Sequence, residues 1–359
     1  MTDRAPRRLR ATIRDVAEMA EVSLGTASNV LNNPELVAPS TRARVIKAIK
    51  GTGFVRSTAA HQLRVGKSRT VGVVLLDIAN PLFAEMVRGA EHVLRDEGYV
   101  LMVCSSDESG ERERCYLRVL EEHRVDGLLI APVEAALDNV EAIAKRGIPT
   151  VLLGRDPGST GLCSVTLDDV KGGDLAVTHL FGLGHEVIGF VNGPLTIRQC
   201  ADRRDGARQA FRRASRSGHK QLREVAVNAL SVEHGEKAVE ELLALEPRPT
   251  AVMCANDLLA LGVLRGLVAA GARVPHNMAL VGYDDVTFAS LLSPPLTSVR
   301  QPKYEVGASA AELLLEEASD HSVHTHRSLR FEPELVVRAS TVGVPGSRLT
   351  GDSPPCRPG

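Results

Sequence analysis

From Thr70 onward the sequence alternates short apolar runs with longer amphipathic ones, in two successive series. In the first, "TVGVVLLD", "YVLMVCSS", "DGLLIAP" and "PTVLLGR" read as strands, separated by helices from about Pro81 to Glu97, from Gly110 to His123, and up to Arg146. The second opens with a helix near Val170 to Gly182. It continues through "EVIGFVNG", a helix from Ala201 to Arg216, a short strand at Glu224 to Val227, a helix to Leu245, "TAVMCAND", a helix to Ala270 and "ALVGYDD". Strands that alternate with helices of about 10 to 15 residues pair in parallel through right-handed crossovers, so the body is of the α/β class with parallel sheets. Two such series imply two similar open sheets with a cleft at the carboxyl ends of their strands. After Pro295, "LTSVRQP", a helix to Ala318 and "RSLRFEPELVVRAS" are expected to recross between the two lobes.

A different pattern precedes this body. Thr12 can cap a helix whose apolar residues Ile13, Val16, Ala17 and Ala20 share one face. Glu21-Val22-Ser23 forms a tight turn, Ser23 caps a second helix from Leu24 to about Leu31, and Asn32-Asn33-Pro34 ends it. Ser40 starts a third helix in which Ala43, Val45, Ile46 and Ile49 are expected to point inward, until Gly51 and Gly53 break it. Three short helices with a tight turn between the first two make a helix-turn-helix bundle.

Charge separates head from body. Residues 1 to 69 hold 13 Lys or Arg against 5 Asp or Glu, a net of +8, which leaves −9 for the rest of a chain whose net charge is −1. A basic head on an acidic body points to a polyanionic partner for the head alone. With no apolar run of 18 residues and no basic-apolar-small leader at Met1, neither a membrane span nor a secretory signal is read, and the cytoplasm is the expected compartment. The six cysteines (Cys104, Cys115, Cys163, Cys200, Cys254, Cys356) are scattered without paired spacing and read as free thiols.

Several motifs fall in order along the chain: "TIRDVAEMAEVS" and "TASNVLN" in the head, A-x-x-L from Ala60 to Leu63 in the linker, then "NPLF", "ANDLLALG", "GYDD" and "PPLTSVRQP". Over Thr12 to Thr341 they resemble transcriptional regulators of the lactose-repressor/galactose-repressor family. The resemblance implies a basic arm at 1–11, a helix-turn-helix DNA-binding domain at 12–56, and a hinge helix at 57–69. It implies a two-lobed, periplasmic-binding-protein-like effector and dimerisation domain at 70–341; by composition Val342 to Gly359, rich in Pro, Gly and Ser, reads as a disordered tail. The lobes would comprise 70–168 plus 300–332, and 169–299 plus 333–341.

By the same resemblance the first residues of the second helix, Leu24 and Gly25, and Asn29 one turn later, read base edges in the major groove of operator DNA. Leu24 offers apolar contact, Gly25 offers no side chain, and Asn29, where the family commonly has Arg, suits adenine. Thr26 and Ser28 would fix register on phosphates, with Thr12, Ser23 and Asn32 on the same DNA face. Ala60 and Leu63 belong to a hinge that enters the minor groove, Leu63 as an apolar wedge. Glu21 stands where the family usually has Gly, and Arg56-Ser57 where it has Pro-Asn. Because one head reads one half-site, a homodimer on a pseudopalindrome is expected.

In the cleft, motif matching places Asp77, Asn80 and Phe83 at the first strand-to-helix turn, Arg155 after "VLLG", Arg203 on the "RRDGARQAF" helix, Asn256 in "AND" and Asp284 in "GYDD". Carboxylates accept hydroxyls, Arg forks bidentately and Asn both donates and accepts, so the implied effector is a small polar molecule of the carbohydrate kind. Phe83, Tyr283 and Phe288 are the aromatic candidates for stacking. Arg204, Arg208 and Arg212 repeat every four residues and read as a solvated stripe.

Two other functional classes fit the sequence less well. No G-x-S-x-G, H-E-x-x-H, complete G-x-G-x-x-G or phosphate loop supports an enzyme; Gly66-Lys67-Ser68 lacks the upstream Gly, since His61 stands there. A bare solute receptor explains the body but not the basic head. His321, His324 and His326 sit in a polar loop without a fourth ligand and read as solvated, so no metal and no cofactor is expected.

Overall fold

A computed structural model describes residues 11–55, 68–133, 137–215, 219–319 and 324–342. The arm, the linker residues Arg56, Ser57, Ala60, His61, Leu63, Gly66 and Lys67, as well as His321, Cys356 and the tail beyond Val342, lie outside the described residues. The chain divides after Ser68 into two compact units.

The first unit is three helices: α1 (Ile13–Met19), α2 (Leu24–Asn32) and α3 (Pro39–Thr52), with a 3₁₀ turn at Pro34–Leu36. Its core is Val16, Ala17, Ala20, Ala27, Val30, Val37, Val45 and Ala48. The third helix starts on Pro39, whose missing N–H is no loss at a first helical position, and ends at Gly53 with φ +65. Its inward face differs from the sequence expectation. Val45 and Ala48 are buried and Ile49 half-buried, whereas Ala43 is exposed and Ile46 is 43% exposed. A small bundle has too little interior to cover every apolar residue of an amphipathic stripe.

The second unit contains two six-stranded sheets. The first holds β1 (Thr70–Leu75), β2 (Val100–Ser105), β3 (Gly127–Ile130), β4 (Thr150–Leu153), β5 (Cys163–Leu167) and β11 (Ser328–Phe331), in the order β11-β5-β4-β3-β1-β2. The second holds β6 (Val187–Asn192), β7 (Gln221–Ala226), β8 (Ala251–Cys254), β9 (Ala279–Asp284), β10 (Thr297–Arg300) and β12 (Glu334–Val336), in the order β12-β10-β9-β8-β6-β7. Strand β1 pairs in parallel with both β2 and β3, Val71 lying opposite Leu101 and Gly127. Helices cover both faces, so β1, β3, β4, β8 and β9 are apolar on successive residues rather than alternately.

Those helices are α4 (Pro81–Asp96), α5 (Gly110–Glu122), α6 (Asp138–Lys145), α7 (Asp169–Gly182), α8 (Arg198–Ala214), α9 (Val232–Ala244), α10 (Asp257–Ala269), α11 (Lys303–Ser319) and α12 (Ala339–Val342). The chain passes from one sheet to the other between Leu167 and Asp169, between Arg300 and Lys303, and back between Phe331 and Glu334. Two features depart from the sequence reading. Strand β5 was not anticipated, and β12 runs antiparallel to β10, with Val299 opposite Leu335. No described helix is long and apolar enough to cross a membrane, and none of the five described cysteines forms a disulfide.

Candidate functional site

In the head, two capped helices meet at a strained turn. Thr12 makes a capping box with Asp15: the Thr12 amide donates to Asp15 Oδ2 over 2.6 Å, and the Asp15 amide donates to Thr12 Oγ1 over 3.4 Å. Glu21 takes φ +52, a left-handed conformation that side chains adopt at a cost, which is why Gly is the easier residue there. Ser23 then caps α2, accepting the Thr26 amide over 3.1 Å and sharing a 2.9 Å bond with Thr26 Oγ1.

With Ala27 and Val30 turned into the core, the outer face of α2 falls to Leu24, Gly25 and Asn29, all exposed, and Leu24 45% so. Thr26, Ser28 and Asn32 are half-buried, and the Asn32 amide nitrogen donates to Ser28 O over 2.7 Å and to Ser28 Oγ over 3.0 Å. Of the head residues singled out from sequence, Thr12, Ser23 and Asn32 thus have local bonds, while Leu24, Gly25 and Asn29 present themselves to whatever lies outside. A Cβ added at Gly25 would meet nothing nearer than Ser23 Oγ at 3.8 Å.

In the body, a cleft of about 610 Å³, counted out to its open mouth, collects six of the seven residues placed there from sequence: Asp77, Asn80, Phe83, Arg203, Asn256 and Asp284. Each stands where a strand gives way to a helix, or one turn inside that helix. Asn80 caps α4, accepting the Leu82 amide over 3.0 Å, ahead of Pro81 at the first helical position. Asn256 caps α10, accepting the Leu259 amide over 2.9 Å while its own amide donates to Leu230 O over 3.3 Å. Asp77 Oδ1 accepts the Ala79 amide over 2.8 Å, which fixes the β1–α4 turn. Phe83 supplies an apolar wall along with Leu76, Met86, Leu153 and Ile197.

The centre of the charge distribution is Arg203, 4% exposed. Its Nε donates to Asp169 Oδ1 over 2.8 Å, its Nη1 to Ala255 O over 2.5 Å and its Nη2 to Asp284 Oδ1 over 3.4 Å. The guanidinium also lies 3.7 Å from the centroid of the Tyr283 ring. Burial pulls its pKa down, but Asp169 and Asp284 hold it raised, so it stays a cation. Asp284 has φ +102 and accepts Gln301 Nε2 over 3.0 Å. Burial lifts its carboxyl to about 6, against the pull of Arg203. The neighbouring Asp285 turns away from the cleft, pairing with Arg300 at 2.7 Å and Arg338 at 2.6 Å.

Arg155 is not among the residues lining the cleft. Gly154 takes φ +64 and stands in the wall itself, and beyond it the Arg155 guanidinium feels Arg198, Asp202 and Asp156; burial, then Arg198, lowers its pKa. Of the aromatic candidates Phe83 alone lines the cleft; Tyr283 backs Arg203, and Phe288 packs on the core of the first lobe. Arg204 and Arg208, members of the solvated stripe, pair with Glu224.

Three polar wall residues were not anticipated: Glu108, Gln199 and Gln301. Gln199 lies one helical turn before Arg203, a spacing that puts both on one face of α8. Gln301 follows β10, and Glu108 follows β2, so the rule that sites lie at strand ends contained the signal. Burial and the nearby Asp77 charge raise the Glu108 carboxyl to about 7. The two lobes bond across the cleft where Gln199 Nε2 donates to Gly154 O over 3.4 Å.

Residues 12–57 match the family described as bacterial regulatory proteins, lacI family, and residues 177–341 match the periplasmic binding protein-like domain. The chain is 34% identical to the HTH-type transcriptional repressor PurR of Aliivibrio salmonicida, over 92% of this chain and 98% of that one. Among solved structures, a LacI family transcriptional regulator from Enterococcus faecium with bound ribose is 31% identical with a TM-score of 0.70, covering 77% of this chain and 99% of that one. The lac repressor dimer bound to operator and an anti-inducer is 27% identical with a TM-score of 0.77, covering 93% and 99%.

Proposed function

The chain belongs to the lacI family of bacterial regulatory proteins, and on that premise we propose that it is a ligand-responsive repressor acting in the cytoplasm as a homodimer on pseudopalindromic operator DNA. The observation that carries this reading is the joining, in one polypeptide, of a capped helix with an outward face of Leu24, Gly25 and Asn29 to a cleft built around a buried, ion-paired Arg203. The relatives' names support it: one is a repressor, one is seen with ribose, one is a dimer on operator.

In the head, residues 12–56, Leu24 and Asn29 would read base edges and Gly25 would leave its position blank. Thr12, Ser23, Thr26, Ser28 and Asn32 would set the backbone register through amides and hydroxyls near phosphate. The hinge, 57–69, would carry Leu63 into the minor groove beside Ala60. In the body, 70–341, a carbohydrate effector would take hydrogen bonds from Asn80, Asn256 and Arg203 and give its hydroxyl protons to Asp77 and Asp284, with Phe83 under its apolar face. The effector acts by changing how the first lobes of two protomers sit together, which sets hinge spacing and so operator affinity; by linkage, operator changes effector affinity by the same factor.

The test uses the full chain. Duplexes are selected from a random pool, their affinity is measured by fluorescence anisotropy at two salt concentrations, and a panel of sugars is screened by thermal shift, then added to the DNA titration. Operator affinity falling steeply with salt and shifting when a sugar that raises the melting temperature is added is the expected result. A sugar that binds equally well with and without operator sinks the switch. In the same assay Leu63→Ala weakens operator binding and leaves sugar binding unchanged, and Gly25→Gln, for which the head has room, changes the selected site.

A further inference from the structure

In sequence His324 and His326 lack companions; in the fold they meet two. Strand β5 opens on Cys163, which is fully buried, and the segment that leads into β11 runs beside it, with the Ser164 amide donating to Arg327 O over 3.1 Å. The Cys163 Sγ then lies 3.1 Å from His324 Nε2 and 3.7 Å from His326 Nδ1, across more than 160 residues of chain. On the last turn of α11 stands Glu317, 2% exposed, and one oxygen or nitrogen or sulfur of each of the four residues lies within 4.8 Å of those of the other three. The two imidazoles are edge to face, 5.1 Å apart at 81°, so they converge on the sulfur instead of stacking.

We propose that Cys163, Glu317, His324 and His326 form a four-coordinate site for a zinc-class divalent cation.

Three arguments carry this. The first is distance: with Zn–S of about 2.3 Å and Zn–N of about 2.0–2.1 Å, a tetrahedron separates sulfur from nitrogen by about 3.5 Å. The observed 3.1 and 3.7 Å bracket that value. The second is charge. A thiolate and a carboxylate cancel a dication and two neutral imidazoles complete the shell, so the ion can sit against the buried Cys163 and Glu317 without an uncompensated charge, with His324 half-buried and His326 on the solvent side. The third is donor type. Sulfur and imidazole favour zinc or its neighbours over magnesium and calcium, which take oxygen. Binding expels the thiol proton to solvent and leaves the thiolate on the metal.

The consequence is mechanical. One ion would tie the end of α11 and the approach to β11 to the first residue of β5, on the outer edge of the first sheet and just before the chain crosses back at 331–334. This site is separate from the cleft, since none of its four residues lines it.

Cobalt(II) is the probe. Full-length protein without a histidine tag, stripped with chelator, is titrated with Co(II) in a weakly buffered solution. One equivalent is expected to give a thiolate-to-cobalt charge-transfer band with visible bands of tetrahedral intensity, bleached by one equivalent of Zn(II), with proton release alongside. Cys163→Ser abolishes the charge-transfer band and Cys115→Ser, at an exposed thiol, keeps it. His324→Ala weakens binding by more than about tenfold, since even residues behind a ligand are worth about 10- to 100-fold. If Cys163→Ser does not fold by circular dichroism, Glu317→Gln, which keeps the thiol, decides by its loss of affinity. No thiolate band at stoichiometric metal, or a band that survives Cys163→Ser, overturns the proposal. So does a wild-type melting temperature that Zn(II) leaves unchanged.

Discussion

Both lobes order their strands alike, with the first strand second from one edge and a late strand added at the other, yet they hold their walls of the cleft by different means. In the first lobe the wall is the capped turn of Asn80, the apolar side chains of Leu76, Phe83 and Met86, and two partly buried carboxyls, Asp77 and Glu108. In the second it is an ion network that is buried but reaches the cleft surface, Asp169–Arg203–Asp284, with Tyr283 behind it and Asp257 buried beside it on Ser298 Oγ at 2.7 Å. Similar backbone topology thus supports a wall that is positioned by packing and a wall that is positioned by charge. Packing errors shift atoms by tenths of an ångström, whereas removing one charge from a buried set leaves its partner with nothing to balance it.

The largest effect should come from breaking the second wall at its centre. Arg203→Met keeps the length of the side chain and leaves Asp169 and Asp284 facing each other in the interior. Loss of one partner from a buried pair costs about 3–5 kcal/mol, so urea unfolding should show a loss of that order. Because the network lies in one lobe, the loss should come from that lobe's transition if the two lobes unfold separately. A loss under about 1 kcal/mol would mean that water reaches the network and that the contrast between the walls is false.

Much of this contrast was open to sequence reasoning, and the rest was hidden for physical reasons. The two strand-helix series announce two sheets through periodicity alone, whereas Asn80 and Asn256 were placed by their match to family motifs; in the fold each caps the helix that follows its strand. Strand β5 escaped because "CSVTL" is short, starts with Cys-Ser and follows a loop rich in Gly and Pro, so neither length nor alternation marks it. Arg155 and Glu108 show a subtler limit. Arg155 follows Gly154, which takes a left-handed φ of +64, and does not line the cleft, whereas Glu108, at the end of a turn through Asp107 at φ +47 and itself at φ +58, does. Sequence places a residue at a strand end, but the next backbone angle decides where its side chain goes. The partners of His324 and His326 were hidden differently, since β5 had to be found before Cys163 could be placed against β11.

A second, smaller break asks whether the lobes are equally intolerant of packing errors away from the cleft. In the first, α4 and α11 cross so closely that a Cβ at Gly307 would fall 1.8 Å from Met86 O; in the second, α7 and α8 cross with a Cβ at Gly206 falling 1.9 Å from Val170 O. Backbone carbonyls cannot step aside as side-chain ends do, so Gly307→Ala and Gly206→Ala must each spread a helix pair. Overpacking of this kind costs about 1–3 kcal/mol. Near-equal losses in melting experiments would confine the difference between lobes to the cleft walls. A large disparity would show that it extends through the layers behind them.

Next comes the pair of caps. Asn80→Ala and Asn256→Ala each remove a helix cap worth about 1 kcal/mol, together with an amide that faces the cleft. Replacing either with Ser restores the cap and not the amide. The two serine variants should therefore melt near wild type, and a thermal-shift response to the cognate effector should be weakened in both. If Asn256→Ser melts well below wild type, its bond to Leu230 O carries structural weight beyond the cap; the same outcome for Asn80→Ser would assign that weight to the Asn80 side-chain bond with Asp284.

The smallest effect distinguishes the two walls by pH. Glu108 in the first wall and Asp284 in the second both titrate above the usual carboxylate range, at about 7 and about 6. A carboxyl whose folded pKa is raised favours its protonated form in the fold, so its contribution is intact below the unfolded value and is lost as pH rises through the folded one. For Glu108 that window runs from about 4.5 to about 7, and its partial exposure holds the change under about 1 kcal/mol. Glu108→Gln removes a group that becomes unfavourable only when ionised. The variant should gain on wild type between pH 5 and pH 8, and that gain should vanish toward pH 4. Asp284 has Arg203 to oppose its burial, so the lower step, near pH 6, should survive in Glu108→Gln unchanged. If removing Glu108 erased both steps, the carboxyls would be titrating as one coupled pair across the cleft, and the two walls would have to be treated as a single electrostatic unit.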